Sequence, residues 1–233
     1  MKNNTSITDV ISGTSYKFKE NTLSLILFID AASYNKSGNK SIWAIFSTIA
    51  ELPPQLRHSY ENVIFHSLLS GGNPDFNNYL ETYNSEINDL IENGFKHNNI
   101  TYNIRVFLFL ADAPARAKVC KINQFNGKYG CIKCLHPSEY LKEKKKTVYP
   151  VDFTIEKRTN KSYEECVQEA IESRTTIKGV KGFAYISNWI SIPNNILLDY
   201  MHLCLQGTFN SMFNNFFDSQ FHLKEFYLGE LVF

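Results

Sequence analysis

Apolar runs cut off by turn residues dominate the first half of the chain. Residues 23–30 (LSLILFID) are apolar without alternation and end on an acid. A run of that length with no polar face predicts a strand buried on both sides. Residues 41–52 (SIWAIFSTIAEL) predict a second strand, returning as a hairpin through the turn at Gly38 and Asn39 and stopped by Pro53 and Pro54. Residues 61–70 (ENVIFHSLLS) predict a third, closed by Gly71 and Gly72. The period then changes. Phe76, Tyr79, Leu80, Tyr83, Ile87, Leu90 and Ile91 recur at spacings of three and four, which predicts an amphipathic helix over 75–95. Asn73-Pro74-Asp75 supplies its start and Gly94 its stop. Residues 100–110 predict a fourth strand. The order strand, strand, strand, helix, strand predicts a mixed α/β fold.

The second half is more polar. The fourth strand runs into FLFLADAPARAKVCKINQFNGKYGCIKC (107–134), which joins an apolar run, an acid, a basic helix start and a Cys-x-x-Cys. A dense positive run follows at 141–147. A helix is predicted over 162–173, then a basic loop around Arg174, Lys178 and Lys181, then a short buried segment holding Trp189. From Asn194 the chain is rich in Leu, Met and Phe. It reads as one or two helices packing on the sheet and interrupted near Gly207.

Composition narrows the class. The 233 residues, 43% of them hydrophobic, are enough for one large domain or a domain with an insertion. A formal net charge of +1 leaves any nucleic-acid contact to local patches. No apolar run approaches the roughly 20 residues that span a bilayer, so no membrane partner is expected. The start lacks a signal-peptide core. The five cysteines, only two of them closely paired, argue against a disulfide framework and for a reducing, intracellular setting. The final LGELVF carries no stop signal, so the reading expects a fragment.

Candidate chemistry lies at two places. Asp30 and Asp112 end the first and fourth strands. A lone Asp after a strand is usually a turn or cap residue. If these two strands are parallel neighbours, however, the carboxylates converge, repel one another and favour a divalent cation, Mg²⁺ or Mn²⁺. That is the ribonuclease H-like arrangement of two-metal phosphoryl transfer. Cys131 and Cys134, after Gly-Lys-Tyr-Gly, look like a zinc knuckle and supply half a structural site, with a redox pair as the rival. His136, Asp199, His202 and Cys204 are the nearest further candidates. Asp199 and His202 lie one helical turn apart, where both could face one ion or simply pack. Lys142, Lys144, Lys145 and Lys146, with Arg116 and Lys118, form either a solvated surface or a phosphate track.

These segments together carry a resemblance. ILFIDAASYNKSGNKSIWAIFSTIAELPP, ADAPARAKVCKINQFNGKYGCIKC and DYMHLCLQG resemble transposase-related proteins of the CACTA (En/Spm-like) type and animal transposase domain-containing proteins. The resemblance implies a DDE-type catalytic core with a ribonuclease H-like fold. Asp30 and Asp112 would match the first two catalytic acids, Cys131 and Cys134 the Cys-x-x-Cys that follows, and Asp199 with His202 the Cys/Asp-x-x-His signature. Only Glu225 and Glu230 lie beyond as candidates for the third acid, and neither sits in a matching motif. Implied cofactors are two Mg²⁺ or Mn²⁺ ions and a structural Zn²⁺. Implied partners are transposon ends and target DNA in the nucleus, with self-association left open. The domain reading is an arm (1–20), a first core part (21–125), a zinc-knuckle and basic insertion (126–190) and a truncated helical part of the core (191–233). The alternative is a domesticated, inactive core that only binds DNA or protein.

Overall fold

The computed structural model describes residues 9–34, 40–218, 220 and 228. It divides into two compact units, 1–197 and 198–233. The first holds strands β1 (Thr22–Ser33), β2 (Ser41–Ile49) and β3 (Ile64–Gly71). A short helix α1 (Pro54–Arg57) lies between β2 and β3. Helix α2 (Phe76–Asn93), strands β4 (Phe95–His97) and β5 (Ile100–Ala111) and helix α3 (Ala113–Val119) follow. A hairpin of β6 (Glu139–Leu141) and β7 (Lys146–Val148) and helix α4 (Asn160–Ser173) complete the larger elements. A short β8 (Ile196–Leu198) closes the unit and pairs with β5.

The sheet order is β3-β2-β1-β5-β4. β1–β2, β2–β3 and β4–β5 are antiparallel and β1–β5 is parallel, so the sheet is mixed and its outer members are hairpin-linked. This layout is compatible with a ribonuclease H-like core. The parallel pair needs a long crossover, and the chain supplies it as β2, β3, α2 and β4. The predicted run 23–30 and the run 100–110 are its two members, each a residue or more longer than the apolar pattern alone suggested.

One face of the sheet is thickly covered. Leu25, Leu27 and Ile29 of β1, Trp43 and Ile45 of β2, and Val106, Phe109 and Ala111 of β5 pack against Phe76, Leu80, Tyr83 and Ile87 of α2 in one core. α2 forms because those residues share a stripe. Asp75 caps it by accepting the Asn77 and Asn78 N–H groups, and Gly94 ends it at φ +71. A Cβ there would lie 2.8 Å from the Tyr102 carbonyl oxygen, so β4 can turn back so closely only after glycine. The opposite face is thinly covered. Ile26, Phe107, Leu108 and Ala50 form a small second cluster, with Val10 and Tyr16 of the N-terminal arm packed on it.

A backbone irregularity sets the register of β5. Leu25 pairs with Val106 but Ile26 pairs with Leu108, so Phe107 is an extra residue. Phe107 and Leu108 accordingly both join the thinly covered face, while Val106 and Phe109 face the main core.

Some elements differ from the sequence pattern. Residues 61–62 lie in a short 3-10 turn (Tyr60–Asn62), and the third strand starts at Ile64. The dense positive run is a β-hairpin rather than a featureless loop. Residues 126–190 belong to the same compact unit as the sheet. In the second unit, Met201–Leu205 form one π-helical turn and α5 (Thr208–Phe217) follows Gly207, where an interruption was expected. No helix among the described residues is long and apolar enough to cross a membrane.

Candidate functional site

The acid pair is positioned by register. Phe28 of β1 pairs with Leu110 of β5. The ladder ends there, and two residues further on the same offset brings Asp30 and Asp112 to the ends of neighbouring strands. Neighbouring parallel strands lie about 4.8 Å apart, a spacing at which two facing carboxylates can share one small cation. Alternation puts both on the same, thinly covered face: Asp30 continues the row of Ile26 and Phe28, and Asp112 that of Leu108 and Leu110. Asp30 is exposed and Asp112 half-buried.

Each acid has one oxygen engaged locally. Asp30 Oδ1 accepts the Ala31 N–H at 2.8 Å. Asp112 is the N-cap of α3, its Oδ1 accepting the Ala115 N–H at 2.7 Å. The cap reading and the metal reading therefore coexist at Asp112. The second oxygen of each carboxylate makes no hydrogen bond among the described residues, which leaves a hard donor on each acid of the kind that suits Mg²⁺ or Mn²⁺. Glu225 and Glu230 lie outside the described residues. Among the described residues no three His, Cys, Asp or Glu side chains gather into a group able to hold a metal ion.

The nearby cations face the protein. Lys118 Nζ sits 4.9 Å from the centre of the Trp43 ring and donates to Asn73 Oδ1. Burial lowers its pKa, and the nearby Asp112 charge partly opposes that. Arg116 Nη1 donates to the Ala111 carbonyl at 3.4 Å. By contrast Lys142, Lys144, Lys145 and Lys146 occupy the exposed tip of the β6–β7 hairpin. The six basic residues thus do not act as one patch: two brace the acid-bearing turn and four project from a separate hairpin.

The Cys-x-x-Cys folds as a tight knuckle. Cys131 Sγ accepts the Lys133 N–H at 3.4 Å, and the Cys134 thiol accepts the His136 N–H. The two thiols are within hydrogen-bond reach of each other. Burial, opposed by that N–H and reinforced by Cys131, raises the Cys134 pKa. Gly130 makes the approach possible, since a Cβ there would lie 2.0 Å from the Gln124 carbonyl oxygen. His136 is otherwise committed: Nδ1 accepts the Ser138 N–H and Nε2 meets the Pro150 carbonyl.

Arg158, only 3% exposed, lies beneath the knuckle. Its Nη2 reaches the Lys178 carbonyl at 3.0 Å, while Nε and Nη1 have no hydrogen-bond partner among the described residues. Burial depresses its pKa, and Cys166, Cys131 and Cys134 act in the opposite direction. A buried cation without an anion is unfavourable. Thiolates on Cys131 and Cys134 would supply the missing charge, and a soft divalent metal is what keeps such thiols ionised. Cys131 and Cys134 are thus chemically suited to be two of zinc's four ligands, and the described residues bring no third to them.

No protein-family model matches this chain, and no curated protein or solved structure is similar to it.

In the second unit Asp199 and His202 are paired with each other. Asp199 accepts the Met201 and His202 N–H groups, and its Oδ2 meets His202 Nδ1 at 2.6 Å. A carboxylate on one ring nitrogen fixes the tautomer that presents the other to a ligand. Sequence reasoning overlooked Arg158 and Lys133. Lys133 is half-buried, its Nζ donating to the Pro193 and Ile196 carbonyls at 2.7 Å each. Neither Lys133, between Ile132 and Cys134, nor Arg158, beside Lys157, belongs to a local pattern that signals burial.

Proposed function

We propose that this chain is the catalytic core, or a fragment of it, of a DDE-type DNA transposase that cleaves and transfers phosphodiesters. One observation supports the reading: the β1–β5 register, offset by the extra residue Phe107, runs toward Asp30 and Asp112 at neighbouring strand ends on the open face of the sheet. In this reading the two carboxylates hold Mg²⁺ or Mn²⁺, with a glutamate from outside the described residues as the third ligand. When bound, such ions neutralise the phosphate and acidify the attacking water. The chain's own part is positional. Asp112, locked by the α3 cap, keeps one oxygen aimed outward, and the open face admits a nucleic-acid strand. Water attacks phosphorus, the bond to the 3′ oxygen breaks, and the freed 3′-hydroxyl becomes the nucleophile for strand transfer. Cys131 and Cys134 hold a structural zinc that fixes the loop carrying the lysine-tipped hairpin. DNA in the nucleus is the corresponding partner.

A second reading is a domesticated core that binds DNA without cutting it, favoured by the lack of a three-acid group among the described residues. A plasmid-nicking assay with Mn²⁺ separates the two. The first reading expects nicking by the full chain that Asp30→Asn and Asp112→Asn abolish; equal nicking by all three proteins refutes it. The second expects no nicking but salt-dependent DNA binding, weakened in Lys144→Glu with Lys145→Glu.

A further inference from the structure

The outer edge of β3 combines three features that the nuclease reading does not use. β3 ends the sheet, so its outer backbone groups are unpaired among the described residues. It is also apolar and exposed: Phe65 and Leu68 are 60% and 58% exposed, with Ile64 and Leu69 partly so. Open apolar edges invite pairing, and proteins usually blunt them with lysine, proline or a bulge. Among the described residues the only blunting is the extra residue His66, where Ile45 pairs with Ser67 but Phe46 with Phe65. Beyond it Ser67–Gly71 runs in unbroken register with 41–45.

Beside this edge runs a groove of about 580 Å³ between β3 and α2, lined by His66, Leu69, Asp75, Tyr79, Tyr83 and Glu86 among others. Tyr83 is 6% exposed and its hydroxyl has no hydrogen-bond partner among the described residues. The far wall carries two acids, Asp75 and Glu86, and α2 has no Lys or Arg. Asp75 at its start is partly answered by Lys121 at 3.4 Å.

We propose that β3 is a docking edge for an extended, basic polypeptide segment, which adds to the sheet as a further strand. Main-chain hydrogen bonds to Ser67–Gly71 would hold it. Alternate side chains would divide between the two faces: apolar ones against Phe65 and Leu68, basic ones toward Asp75 and Glu86. The charge decides against a second copy of this chain. Two β3 edges paired about a two-fold axis would bring two purely acidic α2 helices to the same face of the joined sheet.

The test uses the full chain and three short capped peptides: alternating lysine and valine, alternating glutamate and valine, and the lysine form N-methylated at alternate residues. Titration should show the lysine peptide binding with a Kd below about 1 mM. The glutamate and N-methylated forms should bind about tenfold or more weakly. Glu86→Lys, an exposed helix position, should weaken the lysine peptide and strengthen the glutamate one. Equal binding of the N-methylated peptide would show that main-chain pairing is not involved. Equal binding of the glutamate peptide would remove the acidic wall from recognition. No binding of the lysine peptide, or a dimer that Leu68→Lys dissolves, would overturn the proposal.

Discussion

Asp112 has two jobs in this structure, and two substitutions separate them. As the N-cap of α3 it accepts the Ala115 N–H at 2.7 Å. Removing that acceptor, as in Asp112→Ala, costs about 1 kcal/mol. In a chain of this size that lowers Tm by about 2–4 °C. Asparagine caps about as well as aspartate, so Asp112→Asn should stay within about 1 °C of wild type in EDTA. As a metal ligand the residue needs its charge, and neither variant has it. Mn²⁺ at about a hundred times its Kd stabilises the folded state by about 2.7 kcal/mol. The wild type should therefore melt about 5–10 °C higher with Mn²⁺ than with EDTA, and both variants should lose that increment. Asp30 completes the set. Asp30→Asn, which caps no helix, should likewise stay within about 1 °C of wild type in EDTA while abolishing the response to Mn²⁺. Differential scanning fluorimetry reads all of this. An Asp112→Asn protein that keeps the full Mn²⁺ increment would refute the shared-ion geometry.

Four further outcomes follow from other parts of the molecule. Cys131→Ser should lower both zinc content, read by elemental analysis of the purified chain, and Tm. Arg158→Met should lower zinc retention while leaving the metal-free chain no less stable, because it removes a buried cation whose Nε and Nη1 have no partner among the described residues. Arg57, 4% exposed, is held by Asp9 at 2.7 Å, so Asp9→Ala strands a buried guanidinium and should cost about 3 kcal/mol in urea unfolding. Arg57 also holds the Asp9 pKa below its ordinary value, so this stability is complete above about pH 4 and is lost as the pH falls through the lowered pKa, a slope absent in Asp9→Asn. Gly130→Ala drives a methyl toward the Gln124 carbonyl and should cost about 1–3 kcal/mol in the same measurement.

Periodicity made the sheet legible. Unbroken apolar runs marked β1 and β5 because both are buried on two faces, and the stripe from Phe76 to Leu90 marked α2 because one face must cover the core. Asn73-Pro74-Asp75 marked the start of α2, where Asp75 caps the helix, while the turn expected at Gly38-Asn39 lies outside the described residues. The β6–β7 hairpin escaped notice because its strands are three residues each and lysine-rich, too short for alternation to register. Asp30 and Asp112 were readable as candidates because strand ends are visible in sequence. Their sharing a face was not, since it depends on the pairing register of β1 and β5, which no local pattern announces. Arg158 was illegible for a related reason: its burial comes from loops 20 or more residues away in sequence, which supply its carbonyl partners.

The insertion of Phe107 into β5 has a bearing on how this molecule could be altered. Every side chain around the two aspartates could be exchanged without changing which way Asp112 points, because its heading is counted out in peptide units rather than chosen by its neighbours. Removing that one phenylalanine would straighten β5 and still leave Leu108 opposite Ile26, so the two acids would keep their common face. A residue lost between Leu110 and Asp112 would instead carry Asp112 across to the other side of the sheet.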